Sequence, residues 1–256
     1  MRIAGRAARR QNPGAPADRR TLIAAALRFR PGHVWMTGSA DLDRIAAAIA
    51  ARAGDAPRLM VAIAGPPGAG KSTTAAQLCE ALPAGSAAVV PMDGFHFDDV
   101  VLHQRGQRRR KGAPETFDVC GFAVLLRRLR DAEPEVAIPV FDRSLELSRA
   151  GAAIVAREVR FVLVEGNYLL LDEAPWSSLA GLFDLTVFID VPRAELERRL
   201  VERWRFHGRD DDDARLWIAS NDMPNIDRVL ACSRPADLVI AHAAIRVPDG
   251  MAGSDA

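Results

Sequence analysis

The stretch "GPPGAGKS", residues Gly65–Ser72, directly follows the apolar run "LMVAIA" at residues 59–64. It fits the pattern G-x-x-x-x-G-K-[ST], in which the backbone N–H groups of a glycine-rich loop surround a phosphate at the start of a helix. The pattern needs a strand before the loop and a helix after it, and the flanking residues predict both. We therefore predict a nucleotide-phosphate site with contacts from Gly65, Pro66, Pro67, Gly68, Ala69, Gly70, Lys71, Ser72 and Thr73.

Lysine is rare in this chain, which gives weight to its position in the loop. Of the 34 basic residues, only Lys71 and Lys111 are lysine. A compact ammonium group can reach between the β- and γ-phosphates, a role that the planar guanidinium group fills poorly. We expect Lys71 to bridge these phosphates and Ser72 to bind Mg²⁺.

Composition and charge exclude several classes of protein. Residues 1–30 hold eight arginines against one aspartate, a local charge of +7, which leaves −6 on the rest of a chain of net charge +1. An acidic body argues against nucleic-acid binding, and no apolar run approaches the roughly 18 residues of a membrane span. The three cysteines have no metal-binding spacing, so we expect a reduced, cytoplasmic protein.

The chain divides into three parts. Residues 1–38 lack an apolar period and predict a disordered or non-native leader, residues 39–241 a single domain, and residues 242–256 a C-terminal tail. In the domain, strands alternate with helices, which predicts a mainly parallel sheet covered on both faces. The expected strands are "RLMVAIAG", "SAAVVPMD", "EVAIPVFD", "VRFVLVEGNYLLL", "LTVFIDVP" and "ADLVIA", while the polar stretch 94–116 fits neither period.

Two carboxylates follow predicted strands. Asp93, in "PMDGFHFDD", and Glu165, in "VEGNY", should emerge at the edge of the sheet where ligands bind in open α/β folds. Asp93 there could accept the proton of an attacking hydroxyl, and Glu165 could hold Mg²⁺ or orient the nucleophile. An Asp-Gly turn and an exposed strand end are the alternatives.

A late helix, "RRLVERWR", supplies Arg199, Arg203 and Arg205 just before a polar break. Arginines on a mobile lid stabilise charge on a transferring phosphoryl group. We expect Arg199 or Arg203 to reach a phosphate, although each arginine taken alone is typical of a solvated helix face.

Five segments occur in the order found in pantothenate kinase and uridine kinase relatives: "PMDGFHFDD", "RKGAPETFDV", "IPVFDRS", "VLVEGNYLL" and "LWIASNDMPNIDRVLACSRPADLVI". Over about residues 58–240 the chain resembles the phosphoribulokinase/uridine kinase superfamily, in its nucleoside-kinase-like branch with fructose-transport-associated kinases. The resemblance implies the three-layer α/β/α fold of P-loop NTPases, with a lid.

The resemblance also implies roles for single residues. Asp93 matches the acid that faces the substrate hydroxyl and Mg²⁺, and Glu165 matches the acid of the Glu-Gly motif. The triplet at residues 141–143 departs from the Tyr-Ser-His of pantothenate kinase, which leaves the acceptor open. Acceptor contacts are expected from Asp93, Phe95, His96, Lys111, Phe141, Asp142, Arg143 and Asn225.

These observations favour an ATP- and Mg²⁺-dependent kinase that phosphorylates a hydroxyl of a nucleoside, sugar or vitamin. The alternative is a P-loop ATPase or regulatory protein that acts on a protein partner. A guanine-specific switch would need an N-K-x-D motif, which two lysines at 71 and 111 exclude. The oligomeric state stays open, with a homodimer as one alternative.

Overall fold

The computed structural model describes residues 35–36, 39–206 and 210–241. Its strands are β1 (Trp35–Met36), β2 (Leu59–Ala64), β3 (Ala87–Pro91), β4 (Glu135–Asp142), β5 (Leu147–Ala156), β6 (Phe161–Gly166), β7 (Leu185–Asp190) and β8 (Leu238–Ala241). The α-helices are α1 (Ser39–Ala53), α2 (Lys71–Ala81), α3 (Asp99–Gln104), α4 (Val119–Arg130), α5 (Arg193–Phe206), α6 (Asp211–Trp217) and α7 (Met223–Cys232).

Within the described residues, six strands form one parallel sheet in the order β1-β8-β7-β2-β6-β3. The strand register aligns the carboxyl ends of β2, β3 and β6, at or directly after which predicted site residues lie. Glu165 of β6 stands opposite Ile63 of β2 on one side and Pro91 of β3 on the other. The loop after β2, the turn after β3 and the end of β6 therefore meet at one edge of the sheet.

The sheet is buried on both faces, which explains why its strands read as unbroken apolar runs. Met60 and Ala62 of β2 face a core that α4 covers through residues such as Phe122. Val61 and Ile63 face a second core, covered by α1 and α2. The predicted three-layer α/β/α fold is confirmed.

One predicted strand lies outside the sheet. β4 pairs with β5 in an antiparallel hairpin, whose register shifts between Ile138 and Val140. Pro139 lies at this shift and has no N–H to donate to a ladder. The strand β5 was not predicted, because most of its residues are exposed and no apolar alternation marks it.

The polar stretch 94–116 also contains an unpredicted helix, α3, which Asp98 caps by accepting a 2.9 Å hydrogen bond from the N–H of Val100. Two short 3₁₀ turns, Arg108–Arg110 and Pro114–Thr116, follow it. Between α6 and α7 the chain forms a π-helical turn, Ile218–Asp222.

Two residues of the predicted leader take part in the sheet, since Trp35 and Met36 pair with β8. The rest of residues 1–38, apart from these two, and the predicted tail 242–256 lie outside the described residues, and the division of the chain stays a prediction. No helix among the described residues is both long and apolar enough to cross a membrane.

Candidate active site

The glycine loop joins β2 to α2 as its sequence pattern predicts. Gly70 precedes α2 with φ +91°, a left-handed conformation that favours glycine. Apart from its chain neighbours, no atom of the described residues lies within 4 Å of where its Cβ would be. At Gly65 a Cβ would lie 2.8 Å from the carbonyl oxygen of Ile189 in β7, so only glycine fits. Among the described residues no side chain caps α2, so its first N–H groups have no capping partner.

Lys71, the first residue of α2, is buried at the loop and lies 8% exposed. Its Nζ donates a 3.0 Å hydrogen bond to the carbonyl oxygen of Pro66. Burial lowers the pKa of the Lys71 ammonium to about 8, against the opposing charges of Glu165 and Asp93. The loop thus holds its cation in a weakly solvated position, where an anion would be a strong partner.

Ser72 and Glu165 are in direct contact. The Ser72 hydroxyl donates a 2.9 Å hydrogen bond to Oε1 of Glu165, which is 7% exposed. Burial raises the pKa of the Glu165 carboxyl, the nearby Asp93 carboxylate acts in the same direction, and Lys71 opposes both. A hydroxyl and a carboxylate at this position are oxygen ligands of the kind that Mg²⁺ uses alongside water and phosphate.

Asp93 lies in a 3₁₀ turn, Met92–Phe95, directly after β3. Its Oδ2 is 2.8 Å from Nη2 of Arg143, which belongs to the β4–β5 hairpin. Its main-chain carbonyl oxygen is 2.8 Å from Nδ1 of His96. The His96 ring packs against Phe117 and Phe141, at centroid distances of 4.0 and 4.8 Å.

A cleft of about 690 Å³ joins these groups. Its volume is in the range of small-molecule sites and exceeds what the loop alone would need. The predicted residues that line the cleft are Pro67, Gly68, Gly70, Lys71, Ser72, Thr73, Asp93, His96, Lys111, Phe141, Arg143, Glu165, Arg199, Arg203 and Asn225.

Helix α5 packs against the loop, since a Cβ at Gly68 would lie 3.4 Å from Cγ of Leu200, and Arg199 and Arg203 of this helix line the cleft. Arg199 is bound to Glu195 through a 2.8 Å ion pair on the same helix. Arg203 has no hydrogen-bond partner among the described residues, and its guanidinium carbon lies 5.9 Å from the Trp204 ring centroid. Of the two, Arg203 is therefore the more available to a phosphate.

Lys111 also lines the cleft and is buried in a polar network. Its Nζ donates 2.7 Å hydrogen bonds to Oδ1 of Asp99 and to the carbonyl oxygen of Glu146. Asn221 of the π-helical turn donates to the Lys111 carbonyl oxygen at 2.8 Å, and Arg110 lies 3.4 Å from Oδ1 of Asn225. These contacts join the segment after α3 to the start of α7.

Two of the residues predicted to contact the acceptor molecule do not line the cleft. The ring of Phe95 packs on Phe122 of α4 at a centroid distance of 4.8 Å. Asp142 closes the hairpin turn instead, accepting hydrogen bonds of 3.0 and 2.6 Å from the N–H and the hydroxyl of Ser144. Gly65, Pro66 and Ala69 lie in the loop but outside the cleft lining.

Several residues of the cleft were not predicted. Asn167, Asn221 and Asp222 carry amide or carboxylate groups into the lining, and Trp204 and Trp217 add aromatic surface. Asn221 and Asp222 belong to the quoted segment "SNDMPN", but neither periodicity nor spacing separates them from surface residues.

The chemical groups of the site suit a nucleoside triphosphate and Mg²⁺. An uncapped helix start, open space at Gly70 and a buried ammonium suit phosphates. The described residues contain no group of three or more His, Cys, Asp and Glu side chains that could hold a metal. Ser72 and Glu165 would thus hold Mg²⁺ together with phosphate and water rather than in an all-protein cage.

The fold and the glycine loop define a P-loop nucleotide-binding protein. The chain belongs to the Phosphoribulokinase / Uridine kinase family, whose sequence profile matches residues 60–246. The predicted family is thereby confirmed, and the protein is a member of a family of P-loop kinases.

Among its relatives is "Uncharacterized protein YggC" of Escherichia coli K12, 38% identical over 72% of this chain and 77% of that protein. The "Putative uridine kinase C227.14" of Schizosaccharomyces pombe is 30% identical over 72% of this chain and 83% of its own. A crystal structure of a "putative fructose transport system kinase" from Silicibacter sp. TM1040 is 42% identical, with a TM-score of 0.74, and covers 77% of this chain and 98% of its own.

Proposed function

We propose that this protein is an ATP- and Mg²⁺-dependent kinase that transfers the γ-phosphate to a hydroxyl of a small polar metabolite. The observation that supports it best is the single cleft that Lys71, Ser72, Glu165 and Asp93 share. A nucleotide-binding switch needs the first three groups, while a second carboxylate in the same cleft suits transfer to a small molecule.

The residues of the cleft have separate roles in the proposed phosphoryl transfer. The glycine loop and Lys71 bind the phosphates, and Ser72 and Glu165 hold Mg²⁺, which neutralises phosphate charge when it is bound. Asp93 orients the acceptor hydroxyl and accepts its proton as the oxygen attacks the γ-phosphorus. Arg203 stabilises the charge on the transferred group from above the loop. Alignment and charge neutralisation account for most of catalysis in phosphoryl transfer.

ADP release, measured with a panel of nucleosides, sugars, polyols and vitamins, tests this function. A kinase releases ADP in proportion to acceptor and yields a phosphorylated product that mass spectrometry detects. An acceptor-independent release would favour an ATPase that acts on a protein partner. ATP binding without ADP release for any compound would contradict the proposal.

A further inference from the structure

The nitrogen atoms of His96 have different surroundings. Nδ1 faces the carbonyl oxygen of Asp93 at 2.8 Å, and that oxygen can only accept a hydrogen bond. Nδ1 therefore carries the proton. In a neutral ring the second nitrogen, Nε2, is then a bare hydrogen-bond acceptor.

Nε2 of His96 has no hydrogen-bond partner among the described residues, whereas the ring itself lines the cleft. Packing restricts the ring orientation, because the ring contacts both Phe117 and Phe141, at 4.0 and 4.8 Å between centroids. Burial lowers the pKa of His96, and the cationic side chains of Lys111 and Arg143 act in the same direction, while Asp93 opposes them. The imidazole is thus held neutral in one orientation.

His96 and Asp93 belong to one tight segment, since the His96 N–H also bonds the Asp93 carbonyl oxygen at 3.2 Å. Both side chains line the same cleft. A molecule that places a hydroxyl at the Asp93 carboxylate therefore occupies the same cleft as the His96 ring, where a second polar group of that molecule can meet Nε2.

We propose that His96 is a specificity-determining residue that accepts a hydrogen bond at Nε2 from a second O–H or N–H group of the acceptor, next to the hydroxyl that receives the phosphate. The inference rests on the proposed kinase function. It assigns the acceptor to compounds with two neighbouring donors, such as diols, sugars, nucleosides or amino alcohols. A carboxylate or phosphate group at this position would set lone pairs against the lone pair of Nε2.

The first test reads the protonation pattern directly, without activity. Long-range ¹H–¹⁵N spectra of the full chain at pH 7 should show His96 as the neutral Nδ1–H form. His96→Asn assigns the signal among the five histidines. Addition of glycerol or ribose with Mg²⁺ and a non-hydrolysable ATP analogue should shift the Nε2 resonance. A proton on Nε2, or an imidazolium, overturns the inference whatever the kinetics show.

The second test uses matched acceptors in the ADP-release assay: ribose with 2-deoxyribose, uridine with 2′-deoxyuridine, and glycerol with 1,3-propanediol. Where the protein phosphorylates a member of one of these pairs, we expect the compound with the extra hydroxyl to have a kcat/KM about tenfold to hundredfold higher. His96→Asn keeps a donor to the Asp93 carbonyl but lacks an acceptor at the Nε2 position, and should lose this preference. His96→Gln, whose amide oxygen reaches that position, should retain part of it.

The control is His103→Asn on the exposed face of α3, which should leave the spectra of His96 and all rates unchanged. An equal preference in wild type and His96→Asn, or equal use of both members of a pair by wild type, overturns the inference. No ADP release with any compound contradicts the kinase function instead, and the spectra still decide the state of His96.

Discussion

Nη2 of Arg143 lies 2.8 Å from Oδ2 of Asp93, so the hairpin β4–β5 contacts the carboxylate proposed as the base. Both side chains are partly exposed in the cleft, at 50% for Arg143 and 26% for Asp93. An acceptor hydroxyl must share or replace this contact, and the hairpin is therefore part of the acceptor side of the site.

Asp93→Asn removes the charge and the proton acceptor while it preserves the shape of the side chain. We expect turnover to fall by roughly 10² to 10⁴, with ATP affinity close to wild type because the glycine loop is untouched. Asp142→Asn is the matched control, since Asp142 lies in the hairpin turn outside the cleft lining. Near-normal turnover in Asp93→Asn would mean that Asp93 only stabilises the Asp-Gly turn. Loss of Mg·ATP binding would mean that its main role is to bind the metal.

Glu165→Gln and Ser72→Ala should raise the Mg²⁺ concentration needed for half-maximal ATP binding by roughly 10- to 100-fold. The first removes the carboxylate charge and the second removes the hydroxyl, and these two groups are in contact at 2.9 Å. Titration of Mg²⁺ with a fluorescent ATP analogue measures this. Glu80→Gln, at an exposed position of α2, serves as the control. An unchanged Mg²⁺ requirement in both variants would refute the metal assignment.

ATP binding should be coupled to proton uptake at alkaline pH. In the protein without nucleotide, burial lowers the pKa of Lys71 to about 8. Bound phosphates favour the charged form of Lys71. At pH 7 most Lys71 is already charged and uptake is small. At pH 9 about nine-tenths is neutral, and binding should take up close to one proton. Calorimetry in buffers of different ionisation enthalpy measures the uptake, and Lys71→Met should abolish it and weaken binding at least tenfold. Proton release at pH 9 would contradict the assignment.

The two arginines of α5 should differ in their effect on catalysis. Arg203→Ala should lower kcat by at least tenfold with little effect on ATP affinity, because Arg203 faces the cleft with no hydrogen-bond partner among the described residues. Arg199→Ala should have a smaller effect, since Glu195 holds that guanidinium at 2.8 Å. Single-turnover rates of both variants decide the order, and the reverse order would assign the phosphate contact to Arg199.

Arg58 should stabilise the fold away from the cleft. Its guanidinium donates to the carbonyl oxygens of Leu129, Ala156, Arg157 and Val159 and is 8% exposed. Arg58→Leu removes all four of these hydrogen bonds and should lower the free energy of unfolding by about 3 kcal/mol in urea titrations. Arg52→Leu, which loses one exposed 3.1 Å bond to the Asp184 carbonyl, should cost less than about 1 kcal/mol. Equal effects would contradict this role.

The glycine loop and the two strand-end acids were predictable because each depends on local pattern and on the alignment of parallel strands. The long-range contacts of Lys111 were not, since its partner Asp99 lies in a polar segment without periodicity. Phe95 and His96 are adjacent, yet one ring packs on Phe122 and the other lines the cleft. In a 3₁₀ turn, no repeat in the sequence tells which neighbour faces which side.

The arginine bias of the chain has a practical consequence for labelling. Apart from the chain's N-terminus, its two lysines are the only primary amines, and both line the cleft. Acylating reagents react with amines in their neutral form. The lowered pKa of Lys71 increases the fraction of its side chain that is neutral near pH 8. Intact-mass analysis after brief acylation, with and without a bound nucleotide, therefore gives an occupancy assay for the unmodified protein, with two internal amine reporters and almost no background.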